Sequence, residues 1–299
     1  MDVWQSVCCK VGCCPQRRGG YPATPQQFQS EISGVNHRPG LSCATALHQT
    51  QTLGVDSQIT RGPLTAILPL DMATESIDDM FDGCRSEAAS MIDLFGVFEW
   101  HFNRNFSYAW AVAERNAKKP AHRQLKDDHA VALHMYTQVK FIQQEFNKAV
   151  QTGKHEYNTY GFRFHYLYFY LTDAVKVLRQ NSTSCRTTYH RTKMHFNHNV
   201  INTNMRFGAF TWASLSKFGD ESGFEIVLCH GADVSLFLKL GEAEREALIP
   251  PYEVFKVISV KRRSEQKNLP CEVVYKLKST GKTLSSLNCL GGKTIIITI

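Results

Sequence analysis

The chain has 299 residues, of which 43% are hydrophobic and 20% charged, and its formal net charge is +7. This is the composition of a globular protein, with room for one large domain plus an appendage, or for two domains. No Lys/Arg tract is dense enough to indicate a nucleic-acid partner. No run of about 18 apolar residues predicts a membrane-spanning helix.

Residues 1–66 form a leader rich in Gln, Ser, Gly, Pro and Thr, without a sustained hydrophobic period. Such a composition predicts disorder, and we expect ordered structure to begin near Pro69. Residues 1–30 contain no continuous apolar stretch, so no signal peptide is recognisable in the chain as given. Either this start is not the natural one, or secretion of the protein follows a non-classical route.

Three segments have the hydrophobic spacing of helices: residues 76–119, 125–150 and 162–178. In the first, Ser107 is a candidate cap for a helix that runs to Ala117 and is stopped by Pro120. Gly153 is placed to end the second. The third is rich in aromatic residues, a pattern that fits an aromatic ligand-binding site but is far more typical of core packing.

After Asn181 the pattern changes to short β-type runs separated by Gly and polar residues. The predicted strands are 187–190, 206–211, 224–229, 252–261, 273–278 and 294–299. Helices followed by strands predict an α+β fold and not an alternating doubly wound one. The chain has neither G-x-G-x-x-G nor G-x-x-x-x-G-K-[ST], so no nucleotide is expected on a helix-opening phosphate loop.

The stretch from Gly241 to Val257 carries two carboxylates, Glu244 and Glu246, directly before Ala-Leu-Ile-Pro-Pro. Consecutive prolines exclude a helix there, so the glutamates lie on a loop or a strand edge. In an extended segment, residues i and i+2 point to the same side, and both carboxylates would face one cleft. An isolated E-x-E is more often a solvated acidic turn. The stiff apolar segment beside it favours a site.

The ten cysteines are unevenly distributed. Five lie in the N-terminal portion, and five are widely spaced in the patterned part: Cys84, Cys185, Cys229, Cys271 and Cys289. No His/Cys set completes a metal site, and the wide spacing favours long-range disulfides in an oxidising compartment. Possible N-glycosylation triplets at Asn105 and Asn181 agree with secretion.

Three stretches in the β-rich half stand in a recognisable order: Cys185-Arg-Thr-Thr-Tyr-His-Arg, Arg206-Phe-Gly-Ala-Phe-Thr-Trp-Ala-Ser-Leu, and Glu244-Arg-Glu-Ala-Leu-Ile-Pro-Pro. In order and spacing they resemble the vertebrate, fish-like ecto-type NAD(P)+–arginine ADP-ribosyltransferases. That family carries Y-R-G or Y-R-R, F-x-S-x-S-L, and E-x-E before V-L-I-P-P. The resemblance extends over about residues 69–290. It implies a transferase domain at 67–293, followed by a short apolar tail at 294–299.

The resemblance implies an α+β fold in which a helical N-terminal half packs on a β-sandwich-like core. It also implies mono-ADP-ribosyl transfer to protein arginine, with NAD or NADP consumed as a substrate and no resident cofactor or metal. An extracellular or cell-surface location is expected. Glu246 would stabilise the positive charge that develops on the sugar. Glu244 would pair bidentately with the acceptor guanidinium.

The family pattern also implies two disulfides, Cys185–Cys229 and Cys84–Cys289, which would leave Cys271 outside both.

The sequence departs from the family at two positions. His190 stands where the NAD-binding arginine is expected, with Arg191 one place later, and Trp212 stands in place of the first serine, leaving only Ser214. Imidazole is a weaker phosphate partner than guanidinium, and an indole fills space where a hydroxyl is expected. We therefore expect a weakened transferase. The alternatives are a secreted or surface binding protein with a decayed site, and a glycosidase, which close carboxylates alone would also fit.

Overall fold

The structure is a computed structural model that describes residues 67–120, 122–180, 184–215, 220–237 and 246–289. All of these residues lie in one compact unit, Thr65–Ile299. The predicted leader 1–66 and the predicted strand and tail at 294–299 lie outside the described residues, so the domain boundaries stay predictions.

The helical half contains five helices among the described residues. They are α1 (Arg85–Phe102), α2 (Arg104–Asn116), α3 (Asp127–Gln138), α4 (Lys140–Thr152) and α5 (His165–Gln180). None of the helices in the described ranges is long and apolar enough to cross a membrane.

Three predicted helix boundaries were wrong. The first helical segment was predicted from residue 76, but α1 begins at Arg85, because Phe81 and Gly83 have φ values of 54° and 79°, which a right-handed helix does not allow. Asn103, not Ser107, caps α2, because its backbone is extended and its side-chain oxygen accepts a hydrogen bond from the Phe106 N–H at 3.1 Å. Ser107 lies inside α2 and donates to the Arg104 carbonyl instead. The segment predicted as one helix over 125–150 is two, interrupted at Val139, where φ is −107° and ψ is 83°. Gly153 ends α4, as predicted.

The aromatic segment is core, as expected. Tyr166, Tyr168 and Phe169 on α5 are each at most 2% exposed. The helix starts at His165 because the buried Glu99 carboxylate accepts the backbone N–H groups of His165 and Tyr166, at 2.5 and 3.2 Å. A carboxylate satisfies two of the first helical donors and complements the positive end of the helix dipole.

The strands form a two-stranded sheet and an eight-stranded sheet within the described ranges. They are β1 (Ile67–Leu68), β2 (Arg186–Thr192), β3 (His195–Phe196), β4 (Asn204–Met205), β5 (Thr211–Ser214), β6 (Asp220–Leu228), β7 (Ala232–Asp233), β8 (Glu246–Ile249), β9 (Glu253–Arg262) and β10 (Cys271–Thr283). β1 pairs with β3, and the larger sheet has the order β4-β9-β10-β6-β2-β5-β8-β7. The predicted α+β fold is confirmed.

The strand predicted at 206–211 was wrong, since the chain turns between β4 and β5. Gly208 has φ +69°, and a Cβ there would lie 2.6 Å from the Cβ of Ala73. Only glycine tolerates both conditions. Arg206, before the turn, is buried and donates to Asp78 Oδ2 at 3.0 Å and to the backbone carbonyls of Met72 and Ala73. This guanidinium anchors the turn to the start of the domain.

Two disulfides join distant parts of the chain, and they are the two pairs that the resemblance implies. Cys185–Cys229 links the segment before β2 to the end of β6, and Cys84–Cys289 links the start of α1 to the segment after β10. Cys271 is buried at the start of β10 and belongs to neither.

Candidate active site

Glu246 is the first residue of β8, the strand between β5 and β7. Its backbone N–H donates to Ser235 Oγ at 2.9 Å, and its carbonyl accepts from the Val234 N–H at 2.9 Å. Ser235 Oγ in turn donates to Asp233 Oδ1 at 2.5 Å. Ala247, Leu248 and Ile249 are buried behind it. The backbone of Glu246 is therefore fixed on both sides, which positions its carboxylate.

The strand register brings Glu246 and Ser214 together. Ser214 is directly opposite Glu246 in the β5–β8 pair, and Tyr189 is directly opposite Ser214 in the β2–β5 pair. Directly paired residues in neighbouring strands share a face of the sheet, about 4.8 Å apart per strand. Arg191, two residues after Tyr189, lies on that face as well, whereas His190 lies on the other.

A cavity of about 470 Å³ opens beside this arrangement and is lined by both departures from the family pattern, His190 and Trp212. Ser214, Arg191 and Glu246 are not among the described residues that line it. The predicted site thus divides into two parts: a strand row that carries Glu246, and a cavity that carries His190 and Trp212.

His190 is held by its neighbours in the cavity wall. Its Nδ1 lies 2.6 Å from the Trp212 carbonyl oxygen, so Nδ1 carries the proton and donates. The ring packs against Phe207 and Phe224, with centroids 5.9 Å away in each case. Burial lowers the pKa of His190 below 6.5, and the hydrogen bond to Trp212 only partly opposes this effect. The imidazole is therefore neutral near pH 7.

Trp212 is fixed by an aromatic contact that sequence reasoning missed. Its ring stacks on Tyr136 of α3, with centroids 5.8 Å apart and an interplanar angle of 27°. The Tyr136 hydroxyl donates to the Phe210 carbonyl at 2.6 Å, and Asn147 of α4 donates to the same carbonyl at 3.1 Å. The indole is therefore part of a packed helix–strand contact that occupies one wall of the cavity.

Three amide side chains of α4 also line the cavity: Gln143, Asn147 and Gln151. Sequence reasoning did not select them. Their i, i+4, i+8 spacing places them on one face of the helix, beside the buried stripe of Ile142, Phe146 and Val150. A regular row of amides next to an apolar stripe is the signal that could have found them.

Positive charge is scarce in the cavity. Among the described lining residues, Arg206 is the only one with a permanent positive charge, and its guanidinium is already bonded to Asp78 and to two backbone carbonyls, whereas Asp71 adds a carboxylate. With His190 neutral, the described part of the cavity offers no uncommitted cation to a pyrophosphate.

Glu244 lies outside the described residues, so its predicted place beside Glu246 stays a prediction.

The chain is similar to known proteins over most of its length. A family model described as NAD:arginine ADP-ribosyltransferase matches residues 70–283. Human Ecto-ADP-ribosyltransferase 4 is 32% identical over 249 residues, which cover 77% of this chain and 76% of the human protein. The mouse GPI-linked NAD(P)(+)–arginine ADP-ribosyltransferase 1 is 31% identical over 242 residues, 74% of this chain and 72% of the mouse protein. The fish-like assignment stays a prediction.

The fold agrees with a solved structure as well. The crystal structure of the eucaryotic mono-ADP-ribosyltransferase ART2.2 superposes with a TM-score of 0.60 at 28% identity, covering 75% of this chain and 99% of that one. A variant of that enzyme has been solved in complex with NAD. On the family match, the relatives and the shared fold, this chain belongs to the NAD:arginine ADP-ribosyltransferase family.

Proposed function

We propose that this family member transfers ADP-ribose from NAD(P)+ to arginine side chains of proteins, with Glu246 as its catalytic carboxylate. The observation that carries the proposal is the row formed by Glu246 and Ser214, whose position is fixed by hydrogen bonds to the Glu246 backbone. The bond between the ribose and nicotinamide breaks, and nicotinamide leaves with the bonding electrons. A carboxylate beside the ribose stabilises the positive charge that remains on the sugar.

The acceptor completes the reaction. A guanidinium nitrogen of the target arginine forms the new bond to the ribose and releases one proton. Glu244 is proposed to hold this guanidinium, because a carboxylate pairs with it bidentately. Ser214, directly opposite Glu246, is proposed to hold the ribose or the carboxylate in place.

The NAD phosphates have two candidate partners. His190 lines the cavity but is neutral near pH 7, whereas Arg191 carries a permanent charge and shares the sheet face of Ser214 and Glu246. We propose that NAD binding is weak because His190 replaces arginine and Trp212 replaces serine. If Arg191 binds the NAD phosphates in place of His190, we expect the natural protein to be fully active.

A second function is favoured by the charge of the cavity. Because the described lining residues include no uncommitted cation, a binding protein with a weak or inert transferase site also fits. The disulfides, together with relatives named as ecto and GPI-linked enzymes, support an extracellular or cell-surface location for either function.

Two measurements on the natural protein separate these functions. Nicotinamide release and ADP-ribosyl transfer are followed with NAD, NADP and free arginine as acceptor, and NAD affinity is measured by calorimetry. Measurable transfer that saturates only at high NAD supports a weakened enzyme. An absence of both NAD binding and transfer supports the binding protein, and transfer at low NAD supports Arg191.

A further inference from the structure

A second cavity, of about 390 Å³, lies on the sheet face that carries Tyr189 and Glu225. Its volume is within the usual range of ligand sites. The Tyr189 side chain forms one wall, and Leu269, Pro270 and Val274 supply the apolar remainder. These residues come from β2, from β10 and from the segment between β9 and β10, so the cavity spans several strands.

The cavity adjoins the catalytic row through Tyr189. In the sheet register, Tyr189 is paired with Ser214 on one side and with Glu225 on the other, and Glu225 is paired with Lys276. With Glu246 opposite Ser214, the register makes one row across five neighbouring strands. The proposed catalytic carboxylate and the cavity therefore belong to the same face of the same sheet.

The polar groups of the cavity carry a surplus of positive charge. Lys276 Nζ forms an ion pair with Glu225 Oε1 at 3.0 Å, so these two charges balance. Lys261 also lines the cavity, is only half-buried, and has no ion pair or side-chain hydrogen bond with any described residue. A half-buried ammonium beside apolar walls attracts a carboxylate, and the walls accept an apolar neighbour of that carboxylate.

We propose that this cavity binds an acidic and apolar segment of the acceptor protein, on one side of the arginine that is modified. The proposal rests on the proposed transferase function and names the acceptor class. With strands about 4.8 Å apart, Lys276 lies four strands from Glu246, or about 19 Å along the sheet. An extended chain covers that distance in about six residues, so the acidic residue is expected about six positions from the arginine.

The test uses the full chain and a pair of fluorescein-labelled peptides. Each has a central arginine, glycine spacers, and a Leu-Glu pair about six residues away on either side; in the second peptide both Glu residues are Gln. Fluorescence anisotropy should show the Glu peptide binding about tenfold more tightly. Lys261→Glu should abolish this preference. The matched control Lys267→Glu, on the exposed segment after β9, should retain it.

Equal binding of the two peptides, or equal losses in Lys261→Glu and Lys267→Glu, would overturn the proposal. Transfer to free arginine, which is too small to reach the cavity, tests the function separately. Lys261→Glu should leave that transfer unchanged while lowering kcat/KM for the Glu peptide about tenfold. If the natural chain modifies neither acceptor, the transferase function fails, and the anisotropy comparison still decides whether the cavity selects acidic segments.

Discussion

The two parts of the candidate site have changed to different extents from the family pattern. At the start of β8, both glutamates of the pattern are retained in the sequence. The Glu246 carbonyl accepts a hydrogen bond from the Val234 N–H, and the Glu246 N–H donates to Ser235 Oγ, so its backbone is fixed. In the cavity, an arginine has become His190 and a serine has become Trp212, and both new side chains are packed against aromatic neighbours. If the proposed roles hold, bond breaking and NAD binding can be changed separately by substitutions in the two parts.

The largest loss of activity is expected from a substitution at Glu246. Glu246→Gln keeps the side-chain size and removes the charge, so transfer should fall by about two to three powers of ten. Initial rates of nicotinamide release and of transfer to free arginine measure the loss. Glu272→Gln, an exposed position on β10, is the matched control and should change neither rate. Unchanged turnover in Glu246→Gln would remove this residue from the mechanism.

The cavity is tested by restoring the family residues. His190→Arg with Trp212→Ser should lower the KM for NAD by about 10- to 100-fold, the value of a charge-assisted hydrogen bond. The single variants are needed too, because both side chains line one cavity and their effects are not expected to add. Loss of the Trp212–Tyr136 stacking should also lower Tm. If the natural protein is active and gains nothing on reversion, but the Arg191→Ala variant loses NAD binding, then Arg191 binds the NAD phosphates.

A substitution at Glu244 tests whether the two retained glutamates have different roles in the reaction. Glu244→Ala should reduce transfer to arginine about tenfold or more, while NAD hydrolysis to ADP-ribose and nicotinamide continues. Product analysis by chromatography separates the two reactions. Equal loss of both would show that the two carboxylates do not divide the chemistry.

A smaller effect is expected from pH. Burial lowers the pKa of His190 below 6.5, so the ring gains its charge only as the pH falls below that value. NAD affinity should therefore rise a few-fold on acidification, and calorimetry between pH 7.5 and about 5.5 measures it. His190→Gln should show no such rise. The same shift makes the folded protein less stable as the pH falls below 6.5, because the unfolded chain binds the proton more readily.

Much of the fold could be predicted from the sequence, since helical spacing and β-type runs are local properties. The cap of α2 was placed at Ser107 instead of Asn103, and the break at Val139 was missed, because both depend on a side-chain cap or a local backbone turn inside continuous hydrophobic patterns. The turn at Gly208 depends on its contact with Ala73, more than a hundred residues away in the chain. No local pattern reports such a contact.

The candidate site was predictable only in part. The E-x-E segment and the residues at the two altered positions stand in the sequence, but their division between a strand row and a cavity is visible only in the folded chain. Tyr136 has no spacing relation to Trp212, because α3 and β5 meet only in the folded protein. The protonation state of His190 likewise depends on burial by Phe207 and Phe224.

The disulfide between Cys84 and Cys289 has a practical consequence. The Cα atoms of these cysteines lie 6.0 Å apart, and hydrogen bonds from Leu287 to Asp78 and from Cys289 to Asp79 hold the same two segments side by side. A single protease cut anywhere between the two cysteines leaves both fragments covalently joined through this bond. Electrophoresis of the cut protein should therefore show one band without a reductant and two bands with it.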